Sequence, residues 1–276
     1  MEIRSKRTVV IGGIAILLLI SGVLGTARYV RRPRLTPALR GYAVAVKLGC
    51  FACHGPGGTG GVPNPGSDEK RVPAWDGGNA MMYVQNEQEI REWILDGHPK
   101  RLDAMHDHSN DTGTDGHRHS DSGEFPGRTS PLLKMPAYRD VISGIDFQNL
   151  VAYYKAVAAF DPLPSNARKG YAIASRLGCF GCHGPGGRTG IKNPASFKGY
   201  IPSWQGDDFI ELVKDDDEIR EWILDGEIDR FESNPLARFF TGRQIIKMPS
   251  YRNVIDEEEL DALIIYINWL QKECRP

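Results

Sequence analysis

Thr8 to Gly25 is an uncharged run dense in Val, Ile and Leu, set between Arg4, Lys6 and Arg7 and the cluster Arg28, Arg31, Arg32 and Arg34. Eighteen residues at ~1.5 Å each make a helix of ~27 Å, just short of a hydrocarbon core of ~30 Å. The run predicts a transmembrane helix, with a cleaved signal peptide as the competing reading. Only Gly25-Thr26-Ala27 resembles a cleavage site, and the arginines beyond it suit an interfacial flank. Past residue 35 the pattern turns amphipathic. Thr36-Pro37 predicts an N-cap with Pro at the first helical position, opening a helix through Gly41-Tyr42 to Leu48. A counterpart opens at Ser165 and runs to Leu177. Residues 89–97 and 218–226 both read Glu-Ile-Arg-Glu-Trp-Ile-Leu-Asp-Gly, an amphipathic helix stopped by glycine. Phe147, Leu150, Val151 and Tyr154 form one later apolar stripe, and Leu260, Leu263, Ile264 and Ile267 another.

These elements recur because the chain repeats. Residues 41–97 align with 170–226 without a gap at an offset of 129, sharing Gly-Tyr-Ala, Asn-Pro and Pro-x-Trp landmarks. Beyond them the offset falls to 113, where Leu133-Lys134-Met135-Pro136-Ala137-Tyr138-Arg139 pairs with Ile246-Lys247-Met248-Pro249-Ser250-Tyr251-Arg252. The first repeat therefore carries sixteen extra residues between Gly97 and Met135. Asp161-Pro162-Leu163-Pro164 is a short, stiff linker. The expected organisation is a basic anchor segment at 1–35 and two domains at 36–160 and 161–276.

Charge sharpens this division. Residues 1–40 hold eight basic residues against one acid, whereas the remainder is net acidic, so the overall charge of −1 hides an asymmetry. An acidic body makes nucleic acid an unsuitable partner and leaves a basic protein docking surface open.

The candidate chemistry lies in Cys50-Phe51-Ala52-Cys53-His54 and Cys179-Phe180-Gly181-Cys182-His183. Both read C-x-x-C-H, the signature of covalent c-type haem attachment. Thiols at i and i+3 reach the two vinyl groups on one edge of a porphyrin, and the adjacent His reaches the iron. A C-x-x-C redox pair or half a zinc site leaves the repeated His without a purpose. Cys274 is left over near the C-terminus.

On these motifs each repeat resembles a class I cytochrome c domain, and the pair is similar to membrane-anchored dihaem cytochromes c. The resemblance implies an all-α fold, here an N-terminal transmembrane helix followed by two tandem class I cytochrome c domains, with two covalently attached haem c groups. It implies His54 and His183 as proximal ligands and Met135 and Met248 as distal ligands. Carbonyls of Pro65 and Pro194 would accept the proximal imidazole N–H, and Trp75 and Trp204 would donate to a haem propionate or serve as core. Gly41 and Gly170 match the glycine at which the first and last helices cross.

The function expected is a dihaem carrier of single electrons, anchored in the cytoplasmic membrane through residues 8–25 with its haem domains on the periplasmic face. Its partners would be the bilayer and a membrane redox complex or other cytochromes. The alternatives are a dihaem peroxidase, in which one iron must open, and a metal-binding protein using His98, His106, His108, His117 and His119 of the insertion.

Overall fold

The computed structural model describes residues 2–107 and 131–273, with the backbone alone at 2–12, 15, 104–107 and 273. The insertion's His108, His117 and His119, the side chain of His106, and Cys274 lie outside the described residues. The chain is mostly helical. In order come α1 (Glu2–Val30), α2 (Pro37–Lys47), α3 (Cys50–His54), α4 (Asn79–Tyr83), α5 (Glu87–Asp96), α6 (Lys100–Asp107) and α7 (Gly144–Ala158). They are followed by α8 (Ser165–Arg176), α9 (Phe180–His183), α10 (Asp207–Leu212), α11 (Asp216–Asp225), α12 (Asp229–Glu232), α13 (Pro235–Arg243) and α14 (Glu257–Glu273). One two-stranded antiparallel ribbon pairs β1 (Ile191–Lys192) with β2 (Tyr200–Ile201).

The chain packs as two compact units: 35–190 with 202–206 and 256–276, and 1–34 with 191–201 and 207–255. In the larger unit α2 packs against α7 and α8 against α14. Glycine permits both approaches: a Cβ at Gly41 would overlap the Asn149 carbonyl, and one at Gly170 the Ala262 carbonyl. Phe147, Leu150, Val151 and Tyr154 are buried from α7, and Leu260, Leu263, Ile264 and Ile267 from α14. Each such side chain contributes about 1.5–3 kcal/mol. The predicted cap forms, since Thr36 Oγ1 accepts the Leu39 N–H at 3.2 Å. The same hydroxyl donates to the Arg188 carbonyl at 2.9 Å, tying the start of α2 to the loop after the second motif.

In the smaller unit, Asp215 caps α11 by accepting the Glu218 N–H at 3.0 Å, and Gly226 ends it in the left-handed conformation. Asp208 is buried, paired with Lys198 and accepting from the Tyr200 hydroxyl and the Arg34 N–H.

The membrane anchor is corrected here. Among the described residues, no helix is long and apolar enough to cross a membrane. Two of the four arginines expected at an interface are held by protein. Arg31 Nε donates to the Phe197 carbonyl at 3.0 Å, and Arg34 pairs with Glu211 at 2.6 Å. The single-pass placement and the bilayer contact through residues 8–25 fall with the anchor.

Candidate functional site

Each C-x-x-C-H sequence forms one helical turn, which brings its two thiols to the same side. Gly49 and Gly178, at φ 73° and 74°, close off α2 and α8 and start that turn. Cys50 and Cys179 are buried, and Cys53 and Cys182 half-buried. Burial pushes the Cys50 thiol up.

His54 Nδ1 lies 2.8 Å from the Pro73 carbonyl, and His183 Nδ1 lies 3.0 Å from the Pro202 carbonyl. A carbonyl only accepts, so Nδ1 carries the proton and Nε2 keeps its lone pair. Burial holds the His54 imidazole below its ordinary value and brings His183 down to about 4, with the proline carbonyl opposing in both cases. A neutral imidazole of fixed tautomer beside two cysteines is the donor set that haem c requires, so the residues fit that group.

These contacts correct the expectation for Pro65 and Pro194. Their carbonyls face the methionine loops, accepting from the Leu132 N–H at 2.9 Å and the Ile245 N–H at 3.4 Å. The imidazoles are served by prolines nineteen residues past each His. The Pro-x-Trp landmark marked both positions, but nothing in the spacing assigned the carbonyl.

Trp75 and Trp204, 7% and 4% exposed, pack beside the imidazoles with ring centroids 5.1 and 4.8 Å apart. Gly58 and Gly187 make room for them, because a Cβ at either would meet the indole ring. Tyr153 and Tyr266 complete the wall, their hydroxyls donating to the Gly57 and Gly186 carbonyls at 2.9 Å each. Neither tyrosine was legible as a site residue, although both sit on the apolar stripes' helices.

Met135 is half-buried against the first repeat's core, and Met248 is half-buried in the smaller unit. Their loops are fastened alike. A Cβ at Gly97 would lie 2.5 Å from the Met135 carbonyl, and one at Gly226 2.5 Å from that of Met248. Tyr138 N–H donates to Ile94 and Tyr251 N–H to Ile223, at 3.1 and 3.0 Å. Arg139 pairs with Asp96 and Arg252 with Asp225, each at 2.5 Å. In the insertion, His98 Nε2 is 3.1 Å from Asp103. Among the described residues, no three His, Cys, Asp or Glu side chains come together to hold a metal ion.

No curated protein and no solved structure matches the chain. Residues 165–267 match the family described as cytochrome c oxidase, cbb3-type, subunit III. The match, over a stretch that contains the second C-x-x-C-H turn, supports a cytochrome c domain there, which implies covalently bound haem c and a part in electron transfer.

Proposed function

We propose that the protein is a dihaem electron carrier, built of tandem cytochrome c domains at 36–160 and 161–276 with one haem c each. Its partners are a redox complex or other cytochromes, and its place is that of an electron-transfer subunit or donor to an oxidase. The observation that carries this reading is the duplicated imidazole geometry: His54 on Pro73 and His183 on Pro202, each beside two cysteines and a buried indole. The family match covers only the second copy, and the first reproduces its contacts at an offset of 129.

Haem supplies the one-electron chemistry. Cys50, Cys53, Cys179 and Cys182 would hold it covalently, and His54, His183, Met135 and Met248 would ligate the iron, the methionines from matching Lys-Met-Pro-x-Tyr-Arg frames. Thioether ligation would raise the potential and suit outer-sphere transfer. Trp75, Trp204, Tyr153 and Tyr266 keep water from the proximal side.

Intact mass of the purified protein should show two haem additions, and a single one overturns the dihaem reading. The ferric protein should be low spin with a thioether–iron charge-transfer band that weakens in Met248→Ala. A high-spin component in the unaltered protein would favour the peroxidase.

A further inference from the structure

Asn64 and Asn193 are buried amides, 5% and 2% exposed, that belong to neither motif. Each recognises the backbone of one residue two places before a methionine. Asn64 Oδ1 accepts the Leu133 N–H at 2.8 Å while its Nδ2 donates to the Leu133 carbonyl at 3.0 Å. Asn193 does the same to Ile246, at 2.9 and 2.8 Å. Only a side chain carrying both a donor and an acceptor can close such a pair; Asp lacks the donor and Ala lacks both. The asparagines are themselves fixed. Their N–H groups donate to Lys70 and Gly199, and their carbonyls accept from the Ser67 and Ser196 hydroxyls at 2.8 Å. The following prolines add a third tether to each loop, described above.

We propose that Asn64 and Asn193 are positioning residues that hold Met135 and Met248 in place as sixth ligands. Each methionine is then fastened on both sides, by the asparagine two residues before it and by the tyrosine N–H three residues after it. The inference rests on the reading of Met135 and Met248 as ligands. Its content is that a preorganised loop, rather than the iron–sulfur bond alone, keeps the sixth position closed.

The test uses the full-length holoprotein and imidazole as the competing ligand. In Asn193→Ala, imidazole should enter the second site roughly tenfold faster, equivalent to about 1.4 kcal/mol, and the charge-transfer band should weaken. Asn64→Ala should do this at the first site alone. Should Asn193→Ala fail to accumulate with haem, Asn193→Gln keeps both amide groups but displaces them by one methylene and should show the same change to a smaller degree. A lower melting temperature with unchanged imidazole entry and band would overturn the inference, leaving the asparagines as packing. Met248→Ala separates the two failures. If that variant keeps the band and the wild-type imidazole kinetics, the ligand reading is wrong. If it loses the band while the asparagine variants change nothing, the clamp alone is wrong.

Discussion

Replacing Glu218 by Gln should weaken the protein at neutral pH and scarcely at all in acid. The carboxylate is 13% exposed and takes three hydrogen bonds: from Arg230 Nε at 2.7 Å, Arg230 Nη2 at 2.8 Å and the Lys214 N–H at 2.9 Å. Arg230 also donates to the Leu212 carbonyl at 2.9 Å, so one ion pair joins α10, α11 and α12. Gln keeps one acceptor oxygen and turns an NH₂ toward a donor. Hydrogen bonds to a charged group contribute about 1.5–3 kcal/mol each, and partial solvent screening at Arg230 reduces that, so a net loss of about 2–3 kcal/mol is expected. The Arg230 hydrogen bond holds Glu218 below the ordinary carboxyl value, against an opposing effect of burial. The folded state therefore binds fewer protons than the unfolded state. Its stabilisation is complete above about pH 4.5 and disappears as pH falls through the folded value. Urea unfolding followed by circular dichroism at pH 7 should place the variant's midpoint about 1–2 M lower. That gap should narrow progressively as pH falls below about 4.5. A gap that stays the same size down to the lowest pH at which the protein remains folded would show that the loss comes from packing and not from charge.

Three further substitutions probe the frame around the sites. Gly170→Ala sets a methyl against the Ala262 carbonyl and 2.6 Å from Tyr266 Cβ, so α8 must move from α14. Overpacking of this kind costs about 1–3 kcal/mol, read as a lower melting temperature and a reduced yield of haem-loaded protein. Lys198→Met leaves Asp208 buried without its cation, keeping only the Tyr200 hydroxyl and Arg34 N–H as donors. Breaking a buried pair costs about 3–5 kcal/mol. Arg34→Ala, which removes an exposed pair with Glu211, should cost under about 1 kcal/mol in the same unfolding assay.

The C-x-x-C-H turns were legible because covalent chemistry fixes their spacing, and the helices because caps and apolar period point the same way. Thr36, Gly97 and Gly226 all sit at the helix ends their residue types predicted. The proline partner was missed because it depends on the path of the chain between two points. In the first repeat, Val62 N–H returns to the Cys53 carbonyl, Val72 N–H to Val62, and Pro63 bridges Arg71. That excursion carries Pro65 toward the methionine loop and brings Pro73 back to the imidazole. Counting residues from His54 cannot show a loop that leaves and returns. The N-terminal helix misled for a related reason. Apolar content was visible in the sequence, but the acidic groups that bind Arg34, just past the helix, lie at 207–211, far along the chain.

The repeat also explains why the Trp222 Nε1, among the described residues, is left without a hydrogen-bond partner. Trp93 and Trp222 occupy equivalent positions on α5 and α11. Trp93 Nε1 donates to the Tyr83 carbonyl at 3.1 Å, whereas Trp222 Nε1 is buried and unpaired. The carbonyl equivalent to Tyr83 is that of Leu212, and Arg230 already occupies it. In the first repeat Arg101 spends its donors on Glu89 and leaves the carbonyl to the tryptophan. The second repeat thus gives up a neutral hydrogen bond for a charged one from Arg230, and charged donors bind about twice as strongly. The indole left over stays in place by packing, edge-on to Phe231 at 6.0 Å. Two copies of one frame, aligned through the same Glu-Trp-Ile-Leu-Asp-Gly helix, therefore differ in how that helix is held. The difference lies on α11, whose C-terminal glycine carries the Met248 loop.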